Sequence, residues 1–306
     1  MQFLTIWNHA STRLSSKKRI TLIIKAAFLA AFILLSASCV SHPVAEPETE
    51  AVLYPPETYI PQSFNWQEIR KGIWRFDFEN PDFPIIYHAV KIDLTNPELT
   101  PVCFPTSCTS QKAIQKGKKT SSFAKQENCI IALNASPFSI NRTKKEIVGV
   151  FIDNKTQISK PVEKYAALII NTLPGTQGLS ASIIASQTTQ ALENCDYAFG
   201  GFFMILQDGD ILDFKARTHT SRSGCGVSQD GKTLYILVAE GQQPAKSEGL
   251  SYPQCAQIFK AMGCNDAMEF DGGGSAELCI NGKSVLSYPV NRTQAASFGF
   301  VLFRLP

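Results

Sequence analysis

Short runs of alternating β-branched and aromatic residues, each closed by a tight-turn signal, constrain this chain more than any other feature. Residues 73–78, 85–94, 129–135, 148–152, 165–170, 202–207, 225–228 and 233–241 all have strand character. Asp208-Gly209, Asp230-Gly231 and Asn281-Gly282 stand between apolar runs, where two-residue hairpin loops need positive-φ residues. Antiparallel neighbours are expected. One later stretch has helical spacing instead, with Cys255, Ile258, Phe259 and Met262 on one face. Pro253 near the first turn and Gly263 past the end bound that helix, which starts at about Tyr252. Weaker helical candidates are residues 111–126 and 188–194. The pattern predicts an α+β fold: a single large domain over 64–306, with many strands in a mixed or antiparallel sheet and a few covering helices.

What precedes that domain has a different character. Residues 1–38 contain no acidic residue and carry Arg13, Lys17, Lys18, Arg19 and Lys25. The uninterrupted apolar run at 26–35 is shorter than the ~20 residues a bilayer span needs, so it is read as an export signal. Ser36, Ala37 and Ser38 lead into Cys39, which resembles the lipobox of bacterial lipoproteins and makes Cys39 the expected lipidated residue. Leu35 stands one place further back than is usual there, so an ordinary cleaved signal is the alternative. Residues 39–63, rich in proline and glutamate, are expected to form a tether from that anchor.

Without the leader the chain has 24 basic and 26 acidic residues, a net charge of −2. No basic stripe interleaved with aromatics remains, which argues against a nucleic-acid partner. Eight cysteines follow Cys39: Cys103, Cys108, Cys129, Cys195, Cys225, Cys255, Cys264 and Cys279. In an exported chain an even number suits up to four disulfides, whose pairing the sequence leaves open. There is no CxxC pair, and His42, His88 and His219 are scattered, so structural zinc is not expected.

The stretch hardest to explain by packing is 269–275, EFDGGGS. Each ordered glycine costs roughly 0.5–1 kcal/mol in regular structure, so three in a row need a return. A nest of backbone N–H donors facing an anion, with Asp271 beside it for acid/base or electrostatic chemistry, would supply one. A plain turn needs only one or two glycines. Four other groups fall at strand ends: Asn134 in NASPF, the glycine pair of FGGFF at 199–203, Arg222 in HTSRSGCG, and Glu240 before Gly241.

Taken together, Asn134…Phe138, Gly200-Gly201, Arg222-Ser223, Glu240-Gly241, the helix from Tyr252, Asp266-Ala267 and Asp271-Gly272-Gly273-Gly274-Ser275 resemble the phosphodiester glycosidase family over about residues 132–302. Ser136-Pro137, Gln242 and Glu269 depart from its pattern, and Arg292 stands where a late arginine is common. The resemblance implies a hydrolase that cleaves the glycosyl C–O bond of a sugar-1-phosphodiester. Arg222 and the N–H groups of Gly272, Gly273 and Gly274 would then hold the phosphate, while Asp271 and Glu240 supply the carboxylates. Asn134 and Ser275 would position sugar hydroxyls. No cofactor is required, and a divalent cation shared by Asp271 and Glu240 is the alternative. The expected partners are a sugar phosphodiester or phosphorylated glycan and, through the lipid, a bacterial membrane. A non-catalytic glycan-binding envelope lipoprotein is the alternative.

Overall fold

The computed structural model describes residues 54–107, 113–141, 143–214, 218–243, 245–288 and 290–302. The expected leader, Cys39, the first part of the tether and Cys108 lie outside them. The largest sheet has eight strands, in the order Gln67–Arg70, Ile73–Asn80, Ile85–Asp93, Thr233–Ala239, Arg222–Val227, Asp266–Glu269, Met204–Gln207 and Asp210–Ile211. A five-stranded sheet follows the order Thr156–Ser159, Phe151–Asp153, Tyr197–Gly200, Ala167–Thr172 and Leu179–Ile184. A second five-stranded sheet runs Lys283–Ser284, Leu278–Ile280, Ile131–Asn134, Ser297–Leu302 and Leu99–Phe104. The hairpin Phe138–Asn141/Lys144–Ile147 takes Ile114–Gln115 as a third strand.

These pairings are antiparallel throughout, and the three Xaa-Gly pairs each close a hairpin as expected. The fold is nevertheless predominantly β rather than α+β, because little of the expected helix forms. Among the described residues there are two α-helices, α1 (Thr120–Gln126) and α2 (Tyr252–Met262). Only the end of 111–126 is helical, since Ile114–Gln115 pairs with the hairpin instead. In 188–194 a single 3-10 turn, Gln190–Leu192, stops before Asn194 at φ 62°. Helix α2 has the bounds its sequence signals: Gln254 accepts a hydrogen bond from the Ser251 N–H at 2.8 Å, and Gly263 closes it at φ 98°.

Period-2 alternation divides the apolar residues between layers. Leu234, Ile236 and Val238 face a core shared by all three large sheets, where they join Leu168, Phe199, Leu133 and Phe298. Tyr235, Leu237 and Ala239, on the opposite face of the same strand, pack with Ile258 and Phe259 of α2. That second layer also takes in part of the expected tether. Tyr59 is buried and its carbonyl accepts from the Tyr87 hydroxyl at 3.0 Å, while Tyr54 stacks on His219. The packed domain thus begins before Phe64, because the aromatic residues at the end of the Pro/Glu stretch have a hydrophobic layer to enter.

The disulfide expectation is not met among the described residues. Cys103, Cys129, Cys195, Cys225, Cys255, Cys264 and Cys279 are free thiols, all buried. Cys225 points into the three-sheet core, whereas Cys264 packs in the α2 layer across the same strand. Among the described residues no helix is long and apolar enough to cross a membrane, and no group of three or more His, Cys, Asp or Glu stands ready to hold a metal ion.

Candidate active site

The strand Asp266–Glu269 ends at the glycine loop, and Asn134 holds that loop in place. Asn134 is fully buried; its Nδ2 donates to the Asp271 carbonyl at 2.6 Å and its Oδ1 accepts from the Glu277 N–H at 3.0 Å. Both ends of the loop are therefore tied to one side chain, which is spent on the backbone and is not free for sugar hydroxyls. The Asp271 N–H donates to the Ala135 carbonyl at 3.0 Å, which seats the acid between two sheets. Residues Gly273–Ser275 then form a 3-10 turn, with Gly273 at φ 56°.

Only part of the expected nest is open. The Gly273 N–H is used by the Ser221 carbonyl at 2.8 Å. The N–H groups of Gly272 and Gly274 have no hydrogen-bond partner among the described residues, and Gly274 is exposed. Ser275 is fully buried under this turn. Burial raises the Asp271 carboxyl above its ordinary range, against the opposing pull of the Ser275 hydroxyl and the Arg292 and Lys145 charges.

Two residues expected to work with Asp271 have other duties. Arg222 opens its strand with a side chain only 8% exposed; Nε donates to the Leu250 carbonyl and Nη2 to the Thr218 carbonyl, each at 2.9 Å. Its guanidinium carbon lies 3.9 Å from the Tyr252 ring centroid. The guanidinium knits the start of α2 to the sheet and is not presented to a ligand as a fork. Glu240 is equally occupied. Its carboxylate, 1% exposed, faces His88 Nε2 at 3.0 Å and accepts from the Ser287 N–H at 2.7 Å and from the Ser287 hydroxyl. Burial alone would raise its pKa, but these bonds from His88 and Ser287 bring it below the ordinary value. Glu240 anchors the 285–288 loop next to Gly241, with two bonds on Oε1 and one on Oε2.

The positive charges that act on Asp271 come from elsewhere. Lys145, on the hairpin, places Nζ 3.7 Å from the Phe138 ring centroid, and Arg292 places its guanidinium carbon 5.3 Å from the same centroid. Arg292 also lies along the glycine loop, where a Cβ on Gly274 would stand 3.7 Å from its Nη1. Burial and the Arg292 charge lower the Lys145 pKa, while Asp271 opposes them. Sequence reading missed Lys145 and the role of Phe138. The Lys144-Lys145 pair has no distinctive spacing, and only the hairpin's pairing brings it to the loop. Two cations, one carboxyl that burial holds above its ordinary pKa and two open N–H donors make a centre suited to an anionic ligand.

The structure is thus a stack of antiparallel sheets with a glycine loop at one strand end and a short covering helix. The phosphodiester glycosidase family profile matches residues 127–303, and the chain belongs to that family. Its fold is similar to a hypothetical protein from Synechocystis, at 14% identity and a TM-score of 0.61, covering 79% of this chain and 64% of that one. The chain thus spans less than two thirds of that protein's length. It is also similar to the catalytic domain of zebrafish N-acetylglucosamine-1-phosphodiester alpha-N-acetylglucosaminidase, auto-inhibited by its pro-peptide. That likeness has 15% identity and a TM-score of 0.57, covering 81% of this chain and 86% of the other. No curated protein matches the chain.

Proposed function

We propose that the protein hydrolyses the glycosyl C–O bond of a sugar-1-phosphodiester in a bacterial cell envelope. The observation that carries this reading is the meeting of Lys145 and Arg292 over Phe138, beside Asp271 and the glycine loop. A phosphodiester brings one negative charge to that pair. The C1–O bond breaks with its electron pair passing to the phosphate oxygen, so the leaving group is a phosphomonoester and needs little protonation. Lys145, Arg292 and the open N–H groups of Gly272 and Gly274 stabilise that charge as it grows. Asp271 stabilises the oxocarbenium-like carbon or takes a proton from the attacking water, whose oxygen becomes the new anomeric hydroxyl. Burial raises the Asp271 carboxyl above its ordinary range, which makes it a better proton acceptor than an exposed aspartate.

Export by residues 1–38 and lipidation of Cys39 belong to the same reading, placing the domain at a membrane surface through residues 40–53. One observation favours a second reading. Glu240 is buried and held by His88 and Ser287, which leaves Asp271 without the second carboxylate common in glycosidases, as in a protein that binds phosphoglycans without cleaving them.

The deciding experiment offers a panel of sugar-1-phosphodiesters to the protein and to Asp271→Asn, with and without chelator. Release of free sugar that the variant abolishes is the expected result, and loss of that release with chelator would add a metal. Binding without release from any member would establish the second reading.

A further inference from the structure

The glycine pair of FGGFF has a duty that the hydrolytic centre does not use. A Cβ on Gly201 would overlap the Glu269 carbonyl and the Met268 side chain, so the absence of a side chain there lets the two strands close. Phe202 N–H then donates to the Glu269 carbonyl at 2.8 Å, and Glu269 N–H to the Phe203 carbonyl at 3.0 Å. This pairing sets Phe203 across from Glu269, two residues and therefore ~7 Å of chain from Asp271.

Phe203 is turned outward and is 40% exposed, a rare position for a phenylalanine among the described residues. Its ring is the hub of a shelf: centroids of Phe202, Tyr165, Phe214 and Tyr252 lie 6.1, 6.0, 6.2 and 6.5 Å away. The shelf has polar margins. Among the described residues the Tyr165 hydroxyl has no hydrogen-bond partner, and Lys164 places its Nζ 5.2 Å from the Tyr165 ring centroid. An acyl chain or a protein helix would meet apolar rings edged by groups it cannot satisfy. A pyranose ring offers the complementary mixture, with C–H bonds on one face to lie on an aromatic ring and hydroxyls around its rim to bond the margins.

We propose that this shelf binds a sugar ring of a glycan chain, so that the ligand extends at least one residue beyond the sugar held at Asp271. The proposal builds on the glycosidase reading by naming an oligosaccharide as the substrate class. It is tested on the full chain carrying Asp271→Asn, which binds without turning over. Calorimetric titration uses two series: N-acetylglucosamine, its dimer and its trimer, and glucose, maltose and maltotriose. In at least one series affinity should climb by roughly tenfold from monomer to trimer, the increment one buried ring contact supplies. Adding Phe203→Ala should erase that climb while leaving the melting temperature in place.

No binding or a flat affinity in both series would overturn the proposal, as would a climb that survives Phe203→Ala. Phe203-dependent binding to vesicles of phosphatidylethanolamine and phosphatidylglycerol, with none to the saccharides, would make the shelf a membrane contact and also overturn it. The two readings fail separately. A climb in affinity with no sugar released from phosphodiesters by the unmodified protein leaves the shelf standing without the glycosidase. Release of sugar with flat titrations does the reverse.

Discussion

His88 Nε2 lies 3.0 Å from Glu240 Oε1, and both side chains are almost wholly withdrawn from water. The other ring nitrogen, Nδ1, lies 2.6 Å from Asp77 Oδ1, so the imidazole sits between two carboxylates. Burial alone would lower the His88 pKa, but bonding to Asp77 and Glu240 raises it; Glu240 is lowered in turn. The signs set a window. The raised His88 contributes stability that is complete below its ordinary value of about 6.5 and is lost as pH rises through its folded pKa. The lowered Glu240 contributes stability present above about 4.5 and lost as pH falls through its folded pKa. Melting temperature should therefore peak between those limits and fall on both sides. His88→Gln should cost roughly 3 kcal/mol near pH 6, as expected when one partner of a buried pair is removed, and should flatten the alkaline limb. Thermal denaturation across a pH series reads both effects.

Arg222 and Arg292 should respond oppositely to truncation. Arg222→Ala leaves the Leu250 and Thr218 carbonyls without their donor and uncovers Tyr252, so a loss on the order of 3 kcal/mol in stability is expected. Arg292 is exposed, and Arg292→Ala or Lys145→Ala should leave the melting temperature nearly unchanged. Each should instead weaken binding of a sugar phosphodiester by about tenfold and reduce the sensitivity of that binding to salt. Melting curves and titrations at two ionic strengths separate the cases. A stable Arg222→Ala protein with no affinity would return the phosphate to Arg222.

These contrasts mark where sequence stops specifying the site. The alternation of 233–239, the three Xaa-Gly turns and the proline and glycine around α2 are local signals, and each element formed where its signal lay. The glycine loop beside Asp271 was legible for the same reason, since consecutive glycines after a strand have few structural uses. Side-chain direction is not local. Arg222 shares its strand face with Gly224 and Gly226, the face that α2 covers, and this follows only from the position of Asp266–Glu269 beside it. Lys145 reaches the loop because a hairpin folds back from residues 138–147, and Asn134 turns inward because Leu278–Ile280 pairs with its own strand. The small share of helix has a similar cause, because residues 114–115 found a strand partner before a helix could extend through them.

The buried thiols lead to a simple expectation about redox conditions. With Cys103, Cys129, Cys195, Cys225, Cys255, Cys264 and Cys279 all free, a reducing agent should not shift the melting temperature. Burial raises the pKa of each of these thiols where a shift is resolved, as for Cys129, pushed up to about 12. Thiolate is accordingly scarce, and alkylation of the folded chain should be slow. Denaturant should expose the seven thiols to a chromogenic disulfide reagent. A fall of several degrees on reduction would show that disulfides do form among them.

Glu269, next to the glycine loop, carries the least comfortable charge among the described residues. It is 1% exposed, neither carboxyl oxygen has a hydrogen-bond partner among the described residues, and it departs from the family pattern two residues before Asp271. Burial pushes its pKa up to about 7, with Arg222 and Cys255 opposing. A raised acid contributes stability that is complete below its unfolded value near 4.5 and is lost as pH rises through the folded value. Between pH 5 and 8 this one group should cost the fold on the order of 3 kcal/mol. Glu269→Gln keeps the shape and removes the ionisation, so the variant should gain on the unmodified protein steadily over that range. The relevant observable is the difference in melting temperature between the two proteins as pH rises. A constant difference from pH 5 to pH 8 would mean that Glu269 does not titrate there, and that the buried carboxyl has a partner that keeps it in one state.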